Sequence, residues 1–138
     1  MSSIFKEPLL NLISQETPLT CDESCSLAKV IELMKKHKVG AMVVTHEKKP
    51  VGIFTERDFL MKVAGTDTNL DAIPINTVMV KNPICVKASE PISRAMAMMR
   101  VGNFRNVPVV DEEGHLSHVI TVKDVVNFVT DRFEIKSR

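Results

Sequence analysis

The chain repeats itself, and that feature limits its folds more than any other. Shifting the sequence by 65 positions sets Asn11 on Asn76, Pro18 on Pro83, Leu27 on Ile92, Ile31 on Met96, Met34 on Met99 and Val44 on Val109. Past the next turn the offset becomes 66, with Ile53 on Val119, Thr55 on Thr121, Asp58 on Asp124 and Val63 on Val129. A period of this length means a supersecondary unit used twice, each unit too small to bury its own apolar face well.

Each copy reads in the same order. A short apolar piece after a proline, PLTC or PICV, predicts a strand. In SLAKVIELMKKH and PISRAMAMMRVG, the residues Leu27, Val30, Ile31 and Met34, or Ile92, Ala95, Met96 and Met99, recur at helical spacing. Ser24 or Ser26 in one copy, and Ser89 with Pro91 in the other, are the expected start signals. The runs AMVV and VGIFT flank the turn THEKKP, and VPVV and HVIT flank DEEGHLS, so each copy predicts a strand hairpin. A second helix follows in ERDFLMKVA and VKDVVNFVTDRF. The class is therefore mixed α and β, of the α+β kind, as two βαββα repeats. Residues 9–64 form the first repeat, 65–74 a linker marked by Gly65, Thr66, Asp67, Asn69 and Pro74, 75–131 the second repeat, and 132–138 a tail.

Composition excludes several functions. With 18 Lys and Arg against 17 Asp and Glu, scattered along the chain, there is no basic footprint for nucleic acid. The absence of Tyr and Trp removes most stacking platforms for bases. No apolar run approaches the ~20 residues that span a bilayer, and MSSIFKEPLL lacks the charge pattern of a secretion signal. Three cysteines, Cys21, Cys25 and Cys85, form no metal-ligand pattern with the histidines, and a reducing cytoplasm is the expected location. His37, His46, His115 and His118 lack metal-pair spacing, and nothing is placed by sequence to activate Cys25 as a nucleophile, so no enzyme is expected.

The chemistry concentrates where each hairpin runs into its second helix. In GIFTERD and VITVKD a threonine precedes an aspartate by three positions, as a capping box requires: the hydroxyl accepts the N3 amide and the carboxylate reaches back. The same pattern permits a ligand. Aspartate is shorter than the usual Glu or Gln, which predicts a carboxylate turned outward to hold a ribose diol. Free N–H groups at a helix start favour a phosphate, and Gly52 leaves room beside the strand.

The duplicated pattern VGAMVV, GIFTERD, NFRNVPVVDEEG and VITVKD resembles the CBS domain, named after cystathionine β-synthase, as a tandem pair from about residue 9 to about residue 131. The resemblance implies two βαββα units in a pseudo-twofold sandwich with two clefts for adenosine-containing ligands such as AMP, ADP, ATP, NAD or S-adenosylmethionine. It implies that Thr55 and Asp58, and Thr121 and Asp124, hold ribose. Thr17, Pro18 and Leu19, or Asn82, Pro83 and Ile84, would line the base pocket, opposite Val39, Gly40, Ala41 and Met42, or Arg105, Asn106, Val107 and Pro108. The family glycine is Gly52 in one copy and His118 in the other, where an imidazole would obstruct the cleft or meet a phosphate. Arg57, Arg105 and Lys123 are the candidate phosphate partners, each with a solvated surface charge as its alternative. The implied protein is a regulatory module with no required cofactor, an adenine nucleotide as its regulatory ligand, a homodimer through its helices, and a further protein partner. The rival is a ligand-free interaction scaffold in which the Thr-x-x-Asp motifs only cap helices.

Overall fold

The computed structural model describes residues 2–13 and 17–133; the rest of the expected tail lies outside the described residues. Two compact units result, one of Leu19–Pro83 and one of the residues up to Pro18 with those from Ile84 onward.

In the first unit the chain forms β1 (Thr20–Asp22), α1 (Leu27–His37), β2 (Ala41–His46), β3 (Lys49–Thr55), α2 (Glu56–Lys62) and β4 (Val80–Lys81). The sheet order is β1-β2-β3-β4, with β1 parallel to β2 and the other pairs antiparallel. Of the two serines expected to start α1, Ser26 does so: its hydroxyl accepts the Lys29 N–H at 3.1 Å. Lys35, Lys36 and His37 in the last turn complement the helix dipole, and Lys38 ends the helix with a left-handed φ of 55°. The turn between β2 and β3 is tighter than the sequence predicts. Only Glu47 and Lys48 are in it, with φ of 49° and 68°, the backbone region that a two-residue hairpin turn of matching twist requires. Leu27, Val30 and Met34 of α1 pack on Met42 and Val44 of β2 and Phe54 of β3.

The second unit holds β5 (Val86–Lys87), α3 (Ile92–Val101), β6 (Asn106–Val110), β7 (Leu116–Thr121) and α4 (Val122–Arg132), with sheet order β5-β6-β7. Ile92, Ala95 and Met98 of α3 pack on Val107 and Val109 of β6, Ile120 of β7 and Val125 of α4. Ser89 does not cap α3. Pro91 occupies the cap position without a side-chain bond, and the first helical N–H, that of Ile92, donates to the Glu7 carbonyl at 2.8 Å. A donor satisfied from elsewhere needs no serine.

That bond belongs to an exchange of segments. Residues 7–12, at and just before the start of the first repeat as bounded from the sequence, complete the second copy's unit: the Leu9 and Leu10 N–H groups donate to the Glu90 and Ala88 carbonyls at 2.7 and 3.0 Å, and Leu9 and Leu12 enter the core. Residues 73–79, at the end of the linker and the start of the second repeat as bounded from the sequence, complete the first unit in the same way. The Leu27 N–H donates to the Ile73 carbonyl at 2.7 Å, the Ile75 N–H donates to the Cys25 carbonyl at 2.8 Å, and Ile75 and Met79 enter the core. Glu7 thus matches Ile73 and Leu9 matches Ile75, an offset of 66 where the two asparagines align at 65. Hydrogen bonding and burial set this register, and Asn11 and Asn76 are exposed or half-exposed bystanders to it. Full burial of Leu9 or Ile75 contributes about 1.5–3 kcal/mol.

The leading segment is further tied to α4 by a forked ion pair, in which both terminal nitrogens of Arg132 donate to the Glu7 carboxylate. The Asn11 amide also donates to Glu7 at 2.8 Å.

Leu9 is fully buried and Leu10 is 60% exposed. Leu9→Ala should therefore lower unfolding free energy by about 2–4 kcal/mol and Leu10→Ala by less than about 0.5 kcal/mol, read from urea midpoints. Equal effects would show that the segment is not held as described.

The hydrogen bonds from Arg132 hold Glu7 below its usual carboxylate range, those from Ser24 hold Asp22 down, and those from the His115 and Glu113 N–H groups hold Asp111 down. Carboxylates depressed in the folded state contribute stability that is complete above about pH 4–5, their unfolded range, and lost as pH falls through the lower folded values. Urea midpoints should be insensitive to these groups from pH 7 to 5 and decline below about pH 4. A midpoint that rises on acidification would contradict this assignment.

Candidate functional site

The strand-to-helix corners are built alike in the two units. In the first, the Thr55 hydroxyl accepts the Asp58 N–H at 3.2 Å, and Asp58 Oδ2 accepts both the Thr55 N–H and its hydroxyl at 3.0 Å. In the second, the Asp124 N–H reaches the Thr121 hydroxyl at 3.2 Å, and Asp124 Oδ2 accepts the Thr121 N–H at 2.8 Å and its hydroxyl at 3.1 Å. Both are closed capping boxes. Each aspartate reaches back to its cap, as the capping reading of the sequence requires, and is not turned wholly outward. Here the Thr hydroxyl donates to the same oxygen that takes the backbone N–H, so one carboxylate oxygen serves the whole cap.

The other oxygen distinguishes the corners. Asp58 Oδ1 lies 3.5 Å from Lys62 Nζ, one turn along α2, and its side chain is only 14% exposed. Lys62 also donates to the Val78 carbonyl at 2.9 Å. Asp124 Oδ1 has no partner among the described residues, and Asp124 lines a cleft of ≈ 600 Å³ together with Asn11, Leu12, Asn127, Phe128, Asp131 and Arg132. None of those six was singled out from the sequence. Asn127, Phe128 and Asp131 follow Asp124 by three, four and seven positions, the spacing of one helix face, which is the signal that could have found them.

The structure brings part of each expected wall to its corner. Ala41 lies opposite Thr55 across the β2–β3 ladder, and the Glu56 N–H donates to the Gly40 carbonyl at 3.0 Å, so 39–41 sit at the start of α2. Asn106 lies opposite Thr121, and the Val122 N–H donates to the Arg105 carbonyl at 3.2 Å. Val39 is half-buried against the first core. Met42 and Val107, by contrast, are fully buried core residues, and Pro108 is buried too, which leaves only their main chain for a ligand. Arg57, Arg105 and Lys123 are exposed and make no ion pair among the described residues.

The remaining base-pocket candidates are placed as follows. Thr17 and Ile84 are exposed, and Leu19 is half-buried against the first core. Asn82 follows β4 with φ of 54°, its N–H on the Val51 carbonyl at 3.1 Å.

Gly52 does admit a close neighbour, but it is the chain's own Met79: a Cβ at Gly52 would meet the Met79 sulfur at 2.2 Å. Gly52 faces Val44 in the ladder and His118 faces Val109 at the matching position. His118 is half-buried, and its Nδ1 is buried without a hydrogen-bond partner among the described residues.

None of the three cysteines is in a disulfide among the described residues. Burial first, then the neighbouring Cys25 and Asp22, push the Cys21 thiol up to about 12, and burial raises Cys85. No three His, Cys, Asp or Glu side chains among the described residues are grouped to hold a metal ion.

The CBS domain sequence profile matches residues 12–65 and again residues 75–131. The chain belongs to the CBS domain family. An uncharacterised protein of Methanopyrus kandleri is 27% identical over 115 residues, covering 83% of this chain and 59% of that one. A CBS domain-containing protein of Arabidopsis thaliana is 31% identical over 125 residues, covering 90% of this chain and 22% of that one. The chain thus spans less than two thirds of either relative. A CBS domain protein of Pyrobaculum aerophilum, solved in complex with AMP, superposes with a TM-score of 0.77 at 28% identity over 89% of this chain and 98% of that one.

Thr121→Ala removes the hydroxyl that both accepts and donates in the second box. It should lower unfolding free energy by about 0.5–2 kcal/mol in urea titrations. A neutral result would mean that the box does not hold α4 in place.

Proposed function

We propose that this CBS domain pair is a regulatory module that binds an adenosine-containing nucleotide at its two Thr-x-x-Asp corners. The observation that carries this reading is the division of labour within the corner carboxylates: Oδ2 is committed to the cap, while Oδ1 of Asp124 is unpartnered among the described residues and Oδ1 of Asp58 meets Lys62 alone, at 3.5 Å. Binding would use backbone and side chains of Val39–Ala41 or Arg105–Asn106 beside the corner, with Thr17, Leu19, Asn82 and Ile84 toward the base. Arg57, Arg105 and His118 are the further polar candidates. The AMP complex of the Pyrobaculum relative supports the ligand class, AMP, ADP, ATP or NAD.

In this reading the chain binds its ligand without turning it over. It signals by a difference in affinity between two arrangements of the bound segments, since a ligand shifts an equilibrium only to that extent. A homodimer through the helices and a further protein partner complete the proposal. Leu60 and Met61 on α2 are 67% and 76% exposed, and Val126, at the position on α4 equivalent to Leu60, is exposed as well. An apolar residue at matching positions on two helices suits a self-complementary interface. No helix among the described residues is long and apolar enough to cross a membrane, and a cytoplasmic location is part of the same proposal.

The closed capping boxes equally favour a second reading, in which the motif serves the fold alone and the pair is a ligand-free interaction scaffold. Calorimetry with AMP, ADP, ATP and NAD separates them. Binding is expected, and Asp58→Ala should weaken it at the first corner by about one to two factors of ten, the worth of charge-assisted hydrogen bonds. Absence of any heat or thermal shift at millimolar ligand would leave the scaffold.

A further inference from the structure

We propose that the cleft along α4 selects adenosyl ligands that bring no negative charge into it, a nucleoside or a cationic adenosyl sulfonium, over adenine nucleotides carrying phosphate. This rests on the ribose reading of Asp124 and extends it from a class of ligand to a choice within the class.

The cleft is large enough for a nucleoside-sized ligand at ≈ 600 Å³. Its polar lining consists of two carboxylates, Asp124 and Asp131, two carboxamides, Asn11 and Asn127, and one guanidinium, Arg132. Phosphate is held by uncommitted forks, ammonium groups or free helix-start N–H groups, and at α4 the N–H groups of Thr121, Val122 and Asp124 are already taken by the Asp124 carboxylate, the Arg105 carbonyl and the Thr121 hydroxyl. Arg132 is not uncommitted: it forks onto Glu7 and lies 4.8 Å from the centre of the Phe128 ring. Its charge is cancelled by Glu7, so the carboxylates of Asp124 and Asp131 stand uncompensated. The exposed cations near the start of α4, Arg105 and Lys123, are not in the lining.

Asp131 adds an independent observation. It sits in the last turn of α4, where a carboxylate opposes the helix dipole, and its side chain makes no hydrogen bond or ion pair among the described residues. Asp131 is exposed, and departures from local rules of this kind concentrate at functional or strained sites. Along α4, Asp124 and Asp131 stand about 10 Å apart by helix rise, with Asn127 and Phe128 between them on the same face. Asp124 is thus placed for a diol, Phe128 and Leu12 for an apolar or ring surface, and Asp131 and Asn127 for amine hydrogens.

The first corner lacks these features. The position equivalent to Phe128 is Lys62, which already neutralises Asp58, and that equivalent to Asp131 is Gly65.

The full chain carrying Asp58→Asn, which weakens the first corner, is titrated calorimetrically with adenosine, S-adenosylmethionine, AMP and ATP. Adenosine and S-adenosylmethionine should bind at least about tenfold more tightly than ATP, with AMP between. Adding Asp131→Asn should narrow that ratio about threefold or more without lowering the melting temperature, and Asp131→Lys should narrow it further. If Asp58→Asn does not unfold cooperatively, the same ratios are read in the wild-type chain from NMR shifts of the Asn127 side-chain amide. ATP binding as tightly as adenosine, or a ratio unmoved by both Asp131 variants, overturns the proposal while leaving the adenylate reading intact. No binding of any of the four overturns both.

Discussion

Both strand-to-helix corners of this molecule depend on one reciprocal pair of hydrogen bonds, made twice. A threonine at the end of a strand takes the N–H of the aspartate three residues on, and that aspartate takes the threonine N–H in return. The exchange satisfies two donors that a helix start otherwise leaves to water and turns the chain abruptly from extended to helical. It also fixes a carboxylate at a defined point beside the edge of a hairpin. Because the threonine hydroxyl shares the same oxygen, the cap leaves the second oxygen out: at Asp124 it has no partner among the described residues, and at Asp58 it meets Lys62. A capping device and a ligand holder are therefore not alternatives in geometry, only in use.

The corners are only as rigid as the cores behind them. Phe54 and Ile120, the residues just before each threonine, are buried, and they anchor the strand ends against α1 and α3. Those cores are in turn incomplete without the borrowed segments: Ile75 and Met79 in one unit, Leu9 and Leu12 in the other. In the second unit the borrowed segment also reaches the site, since Asn11 and Leu12 line the cleft that Asp124 faces and Glu7 neutralises the arginine beside it. A change in that segment would be felt at the corner through the Glu7–Arg132 clasp, a direct physical link between the borrowed segment and the site.

The sequence carried the repeat, the order of elements and the two corners because those features rest on periodic burial and on short local motifs. Leu27, Val30 and Met34 lie on one helix face whatever the chain does elsewhere, and Thr55 with Asp58 meets its own backbone. What it concealed involves neighbours distant in the chain. Leu9 and Ile75 sit in short 3-10 turns with no periodic pattern, so nothing local announces their burial. Gly52 reads as room for a ligand until Met79 is seen to fill it. Met42 and Val107 matched positions of a ligand wall but face a hydrophobic core. The cleft beside Asp124 had a legible helical spacing, yet its partner Asn11 comes from more than 100 residues away. Ser89 failed as a cap because a carbonyl from the leading segment had already taken the donor it would have served.

The central claim concerns the second oxygen of each corner carboxylate. A crystal structure of the chain grown with an adenine nucleoside or nucleotide in excess tests it most directly. The account predicts both ribose hydroxyls within hydrogen-bond reach of Oδ1 of Asp58 or Asp124, with Oδ2 still closed on its threonine. A ligand bound with its ribose away from both corners, or a ribose held only after the capping box has opened, would contradict it.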